Sequence, residues 1–276
     1  MRVARLATIL LSVPLSGLAW PALAAPQLAP HRAVYDLALD KASDRSGISG
    51  LAGRMVYEFN GSPCEGYTVK FRFVTQIDTS ENSRLTDQQT TTFEDGDGKS
   101  FNFVTRTFVD QSPEREIKGV ARLDAKGVTV KLDKPEHQTI DLDRTQFPTQ
   151  HLKELIGKAN AGETFYETSL FDGSEDADRI MTTTIVIGKE ENAEKTDPEL
   201  VAMKSFAKDP YWPVEIAYFD LSKDGHTGEA LPDYRIGFKL HENGVTRDLV
   251  MDYGDLSMKG TLVDLTLFDQ PKPCTR

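Results

Sequence analysis

Cys64 and Cys274 are the only thiols in the 276-residue chain, and they stand far apart. Two sulfurs at that separation lack the Cys-x-x-Cys spacing from which zinc sites are built. The chemistry open to them is pairing, provided their compartment is oxidising. Two free thiols, or a bridge between chains, are the alternatives. If Cys64 is bridged, it is not also a nucleophile.

Other reactive groups are present in number but not in pattern. The histidines, His31, His137, His151, His226 and His241, form no i,i+4 pair, and no His-Glu-x-x-His helix occurs. There is no Gly-x-Ser-x-Gly nucleophile elbow. Gly98-Lys99-Ser100 ends like a phosphate loop, but Phe93 stands where the leading glycine belongs, and the backbone needs that glycine to approach a phosphate. Asp95-x-Asp97 begins like a calcium loop, yet Lys99 takes the third ligand position and Arg106 that of the bidentate acid. Both stretches read as a turn. No catalytic, cofactor-binding or metal-ligating residue is assigned, and the chain reads as non-enzymatic.

The compartment follows from the N-terminus. Arg2 and Arg5 precede an apolar run, Leu6 to Leu18, limited by Pro14 and Gly17, and Ala22-Leu23-Ala24 has the small-x-small form of a cleavage site. Residues 1–24 therefore read as a cleaved export signal and residues 25–276 as the mature chain. The run is shorter than the roughly 20 residues of a membrane span, and no cysteine follows the cleavage site to carry a lipid. The mature chain is expected to be soluble in an oxidising space, where an even cysteine count favours pairing.

Charge excludes one class of partner. The net charge is -11, the signal removes two further cations, and the acids are spread along the chain. Nucleic acid binding by phosphate neutralisation is excluded on that ground, and an anionic membrane surface would repel such a chain.

The elements that must position any site follow mainly a period of two. In Gly66 to Asp78, Tyr67, Val69, Phe71, Phe73, Thr75 and Ile77 share one face and Thr68, Lys70, Arg72 and Gln76 the other. The same alternation runs through Tyr35-Leu37-Leu39, Met55-Tyr57-Phe59, Val128-Val130-Leu132, Tyr234 to Leu240 and Leu249-Met251-Tyr253. Turn signals separate these runs: Asn60-Gly61, Asp95 to Gly98, Asp172-Gly173, Asp224-Gly225 and Asn243-Gly244. Strands in direct succession with one wet face predict an antiparallel meander in one β domain.

One helix is expected from about Pro148 to Ala161, with Pro148 at its first position, Leu152, Leu155 and Ile156 on one face, and Gly162 ending it. A second helical stretch near Pro198 to Phe206 stays open. Asp40 to Gly53 and Gly188 to Pro198 read as mobile loops. The aromatic residues Phe101, Phe103, Phe108, Tyr211, Trp212, Tyr218 and Phe219 read as core, or as the lining of a concave apolar face that accepts a lipid chain or peptide. His31, Arg32, Asp36, Arg247 and Asp248 read as a buried salt-bridge network or a contact patch, the former favoured.

Several strings resemble the EipB-like family of periplasmic cell-envelope integrity proteins of Gram-negative alphaproteobacteria. They are His31-Arg32-Ala33-Val34-Tyr35-Asp36, Phe147-Pro148-Thr149-Gln150-His151-Leu152, Leu170-Phe171-Asp172-Gly173-Ser174-Glu175-Asp176 and Glu242-Asn243-Gly244-Val245-Thr246-Arg247-Asp248-Leu249, with Tyr253-Gly254-Asp255 and Cys274. Their order and spacing span the mature chain.

The resemblance implies a mainly β fold: a strongly curved antiparallel sheet, a β-spiral or incomplete barrel, around one central helix. It implies a disulfide, carried over to Cys64 and Cys274, a periplasmic location, and a role in holding the envelope against stress without enzymatic activity. A periplasmic tetratricopeptide-repeat protein is the partner it suggests. The fold it implies is also similar to that of periplasmic lipoprotein carriers. Two readings therefore stand: a scaffold acting through protein interaction, and a carrier or sensor of a lipid or lipoprotein acyl chain.

Overall fold

The computed structural model describes residues 27–222, 231–271 and Cys274. The expected export signal lies outside these residues, as do His226 and the Asp224-Gly225 turn. β1 (His31–Ala42), β2 (Ile48–Ser62), β3 (Gly66–Thr79), β4 (Ser83–Glu94), β5 (Ser100–Val109), β6 (Ser112–Leu123), β7 (Val128–Lys134) and β8 (Gln138–Leu142) follow one another as hairpins. Helix α1 (Pro148–Asn160) then leads into β9 (Phe165–Leu170) and β10 (Met181–Ile187). A four-residue helix α2 (Leu200–Met203) and a 3₁₀ turn (Lys204–Phe206) precede β11 (Trp212–Phe219), β12 (Tyr234–Leu240), β13 (Thr246–Asp252) and β14 (Leu256–Leu267).

All fourteen strands form one antiparallel sheet in the order β8-β7-β6-β5-β4-β3-β2-β1-β14-β13-β12-β11-β10-β9. Two meanders are thus sewn together by the long β1–β14 pairing. The sheet is not closed. Among the described residues, its end strands β8 and β9 do not pair; the segment after β8 meets β9 at the isolated Gln146–Leu170 bridge, where Phe171 N donates to Gln146 O at 3.0 Å. The mainly β, incompletely closed architecture agrees with expectation, and the short helix with its 3₁₀ turn falls in the Pro198 to Phe206 stretch, open on sequence alone.

The alternation has a direct physical result: the odd positions of β1, β2 and β3 lie in register on one face. Tyr35 pairs with Met55 and Met55 with Phe73, while Phe59 pairs with Val69. The apolar stripe of α1 is buried against this face. Leu155, Ile156 and Ala159 share a core with Phe59 and Tyr67 of one meander and Ile185, Trp212, Val214 and Leu240 of the other. A further core under β5–β7 gathers Phe101, Phe103, Phe147 and Phe171.

Two local expectations are corrected. Asn60-Gly61 is inside β2, and the reversal falls at Pro63-Cys64-Glu65, because Gly61 still pairs with Tyr67 and Ser62 with Gly66. Gly61 is needed for close approach: a Cβ there would lie 2.1 Å from Gly66 O. Asp40 to Gly53 is mostly strand, broken only at residues 43–47. Gly53 serves strand packing, since a Cβ there would lie 2.3 Å from Val74 O.

Candidate functional site

The sheet is torn between β13 and β14. The two strands pair from Leu249–Gly260 to Asp252–Ser257 and then part, where Asp248 adopts φ 52°. β14 continues alone against β1 as far as Leu267. Its orphaned edge is covered by side chains. Glu199 Oε1 accepts from Leu262 N at 2.6 Å and Asp248 N at 3.0 Å, while Oε2 accepts from Arg247 Nη1 at 3.3 Å. Lys204 Nζ donates to Leu265 O and pairs with Asp264 at 3.1 Å. Between these anchors α2 buries Ala202 and Met203 in the core that holds Ala33, Tyr35 and Leu265. The local sequence builds this plug: Pro198 follows Asp197, whose Oδ1 accepts from Glu199 N at 3.0 Å and so starts the turn.

Arg247 is fully buried beneath the plug. Its Nη1 lies 2.6 Å from Asp197 Oδ2 and its Nε donates to His241 Nε2 at 3.1 Å. The guanidinium stacks 4.9 Å from the Tyr211 ring. Lys239 bridges Asp197 at 3.2 Å and Asp248 at 2.9 Å, and Tyr211 OH donates to Glu191 at 3.1 Å. Burial raises the Glu199 carboxyl despite the three bonds it accepts. Burial also pushes Asp197 upward, but Arg247, the Glu199 N–H and Lys239 together hold it below the usual range. Burial and the neighbouring Arg247 charge lower His241 to about 4, so its neutral ring accepts from Arg247 through Nε2.

These groups bond one another, although Arg247 Nη2 and His241 Nδ1 are buried without a hydrogen-bond partner among the described residues, and they present no activated nucleophile. They form a latch that holds the 190–199 segment and α2 onto the torn edge. Outside it lies a polar cleft of 710 Å³, whose walls include Glu190, Glu191, Glu194, Lys239, Asp248 and Thr261. Among the described residues no group of three His, Cys, Asp or Glu is placed to hold a metal.

The concave face is the other candidate. Glu94, buried at the end of β4, accepts Thr149 N at 2.7 Å and Gln150 N at 3.0 Å, so a carboxylate satisfies the first turn of α1 from outside the helix. His151, lowered to about 4 by burial, lies 3.3 Å from Thr183 Oγ1, which donates to Thr168 O at 3.2 Å. Gln146 ties Glu154 of the helix to Thr168 of β9 at 2.6 and 2.9 Å. Here the concave face is filled and the helix fastened. Farther along β3–β5, the inward positions Phe71, Phe73, Thr90 and Thr105 stay half-buried, with Thr90 and Thr105 hydroxyls 3.0 Å apart.

The residues singled out by sequence fall as follows. Cys64 and Cys274 are disulfide-bonded, with Cα atoms 5.8 Å apart. Asp95 to Gly98 is the β4–β5 turn. The expected five-residue ion-pair network does not form. His31 bonds Ala29 O at 2.7 Å, Arg32 faces Glu58 at 3.5 Å and Asp36 faces Arg54 at 2.7 Å on the surface, because alternation along β1 sends neighbours to opposite faces. Arg247 and Asp248 do belong to a network, whose other members, Asp197, Glu199, Lys239, His241 and Tyr211, were not grouped from sequence. The 188–198 segment, expected to be mobile, is fastened by the Glu191–Tyr211 bridge and by Asp197. Of the aromatic residues, Phe101, Phe103, Tyr211, Trp212 and Tyr218 are buried.

Comparison with known proteins gives this architecture its relatives. Residues 22–269 match the EipB-like family model. The chain is 56% identical over 267 residues to the cell envelope integrity protein EipB of Brucella abortus (strain 2308), covering 96% of this chain and 93% of that protein. A crystal structure of a β-barrel-like protein from Brucella abortus superposes with a TM-score of 0.85 at 58% identity, covering 89% of this chain and all of that one. With the family model matched over residues 22–269 and the overall fold shared across that coverage, this chain belongs to the EipB-like family.

Proposed function

We propose that the protein is a non-enzymatic periplasmic component that supports cell-envelope integrity through protein interaction. The envelope role rests on its relative, named a cell envelope integrity protein. The observation favouring interaction over carriage is the filling of the concave face by α1, whose Leu155 and Ile156 are almost wholly buried. A carrier needs an accessible apolar groove, and the helix occupies the natural one. Residues 1–24 act as the export signal in this reading, and a periplasmic tetratricopeptide-repeat protein is a candidate partner.

The carrier reading keeps one specific support, the half-buried Phe71 and Phe73 beyond the helix. Native mass spectrometry of mature protein purified from periplasm separates the two. The expected result is a chain beginning at Ala25, without lipid, in reproducible complex with a protein. A stoichiometric co-purified lipid overturns the scaffold reading.

A further inference from the structure

The unclosed sheet ends in two edges, and their treatment differs. β9 is partly covered by Gln146. For β8 the backbone directions follow from its neighbours. Asp124 N donates to Gly127 O at 2.9 Å, closing the β6–β7 hairpin. In an antiparallel ladder closed pairs recur every second residue, so Arg122–Thr129 and Val120–Lys131 are closed pairs. Val128, Val130 and Leu132 therefore turn their peptide groups to β8, where Leu142, Ile140 and Gln138 meet them. Thr139 and Asp141 are left pointing N–H and C=O away from the sheet. No described backbone or side-chain group bonds them there.

This edge is short, at five residues, but lacks the stronger devices that block strand addition. Gln138–Leu142 contains no proline, bulge or lysine, and its one charge is Asp141. A cleft of 740 Å³ runs beside it, lined by Lys126, Asp141, Leu142, Asp143, Asp178 and Arg179. Arg179 is already matched by Glu175, Asp176, Asp178 and Asp220, and Arg144 turns back to Asp124 O at 3.1 Å. With Lys126 counted, the charge left along the edge is net negative, and Asp141, which also accepts from Thr129 Oγ1 at 2.8 Å, and Asp143 are two residues apart, the strand repeat.

We infer that β8 accepts an extended, basic segment of a protein partner as a fifteenth strand, with lysine or arginine at alternate positions facing Asp141 and Asp143. Main-chain bonds to Thr139 and Asp141 supply adhesion and the carboxylates supply selection. A second copy of this chain fits poorly, since pairing β8 with itself would bring the same aspartates together on a protein of charge -11.

This inference rests on the interaction reading, and the test separates the two. The probe is a blocked heptapeptide alternating lysine and valine, added to the mature protein and followed by hydrogen exchange. Protection is expected across residues 136–144, weakening with salt. Asp141→Lys with Asp143→Lys should weaken binding by roughly tenfold or more. Thr139→Pro with Asp141→Pro removes the outward N–H groups together with the Asp141 carboxylate and the exposed bond it accepts from Thr129, so it should abolish binding while leaving the melting temperature near wild type. No protection, protection elsewhere, or undiminished binding to a well-folded proline variant overturns the proposal. So does a concentration-dependent dimer that the proline variant lacks, which would assign the edge to self-pairing. A periplasmic complex that survives the proline substitutions would sink this site while leaving the interaction reading intact.

Discussion

Glu199 and Leu262 make the bond that a missing strand would have made: the carboxylate Oε1 lies 2.6 Å from the Leu262 amide nitrogen, where β13 has turned away from β14. The same oxygen holds the Asp248 amide, and the other oxygen holds buried Arg247. One side chain thus satisfies two backbone donors and shares the buried Arg247 charge with Asp197.

Glu199→Ala strands the Leu262 and Asp248 amides away from water and leaves Arg247 to Asp197 and His241. Breaking a buried pair by removing one partner costs about 3–5 kcal/mol, and loss of that order is expected in urea unfolding. Glu199→Gln keeps an acceptor oxygen for the amides and should lose less. An alanine variant as stable as wild type would mean that the tear is held by α2 packing alone.

Cys64→Ser should lower stability by a few kcal/mol, on the order expected for a long closed loop, without changing the far-ultraviolet β signature. The bridge ties the β2–β3 reversal to a residue beyond β14, and the β1–β14 pairing, which runs from His31–Leu267 to Ala42–Leu256, does not include either cysteine. Non-reducing peptide mapping of the oxidised protein should give one cross-linked pair, and unfolding should then be compared with the variant. Two alkylatable thiols in periplasmic material would remove the basis of the expectation.

How legible these features were depends on range. Alternation at Tyr67, Val69, Phe71 and Phe73 declares β3 because every inward residue answers to the same core. The α1 stripe declares itself through Leu152, Leu155 and Ile156. The latch does not, because Asp197, Lys239 and Arg247 come from three separated segments and meet only after β13 departs from β14. Nor does Gly61 reveal whether it turns the chain or lets a neighbouring backbone approach; the same residue serves either need. Glu94 as the cap of α1 was equally hidden, since its partners lie 55 and 56 residues away.

Acid should weaken the fold through buried histidines. His151 and His241 both titrate near 4 in the folded protein, lowered by burial, with Arg247 adding to the effect at His241. Their unfolded value is about 6.5. The unfolded chain therefore takes up protons first, and the stability held above pH 6.5 is lost as pH falls toward 4, by up to about 1.4 kcal/mol per pH unit for each ring. Glu94 and Glu199, raised by burial, act in the opposite direction, so single variants are the clean test. His151→Asn should flatten the stability curve between pH 6.5 and 4. An unchanged slope would mean that this ring is protonated in the folded state.

Leu155 decides between a filled interior and a lidded groove. It is almost wholly buried, at 1% exposure, in the core that joins both meanders, beside Ile156 at 0%. Truncation to alanine should cost about 2–5 kcal/mol, because a rigidly packed site collapses only partly around the lost atoms. The helix is held at its start by Glu94 and along its length by Gln146 and His151, so it is not free to close the gap. The expected outcome is a large stability loss without uptake of an apolar fluorescent probe by the folded variant. A small loss with strong probe uptake would show that α1 is a lid, and would favour an acyl-chain carrier. No change in either property would mean that the stripe does not pack on the sheet.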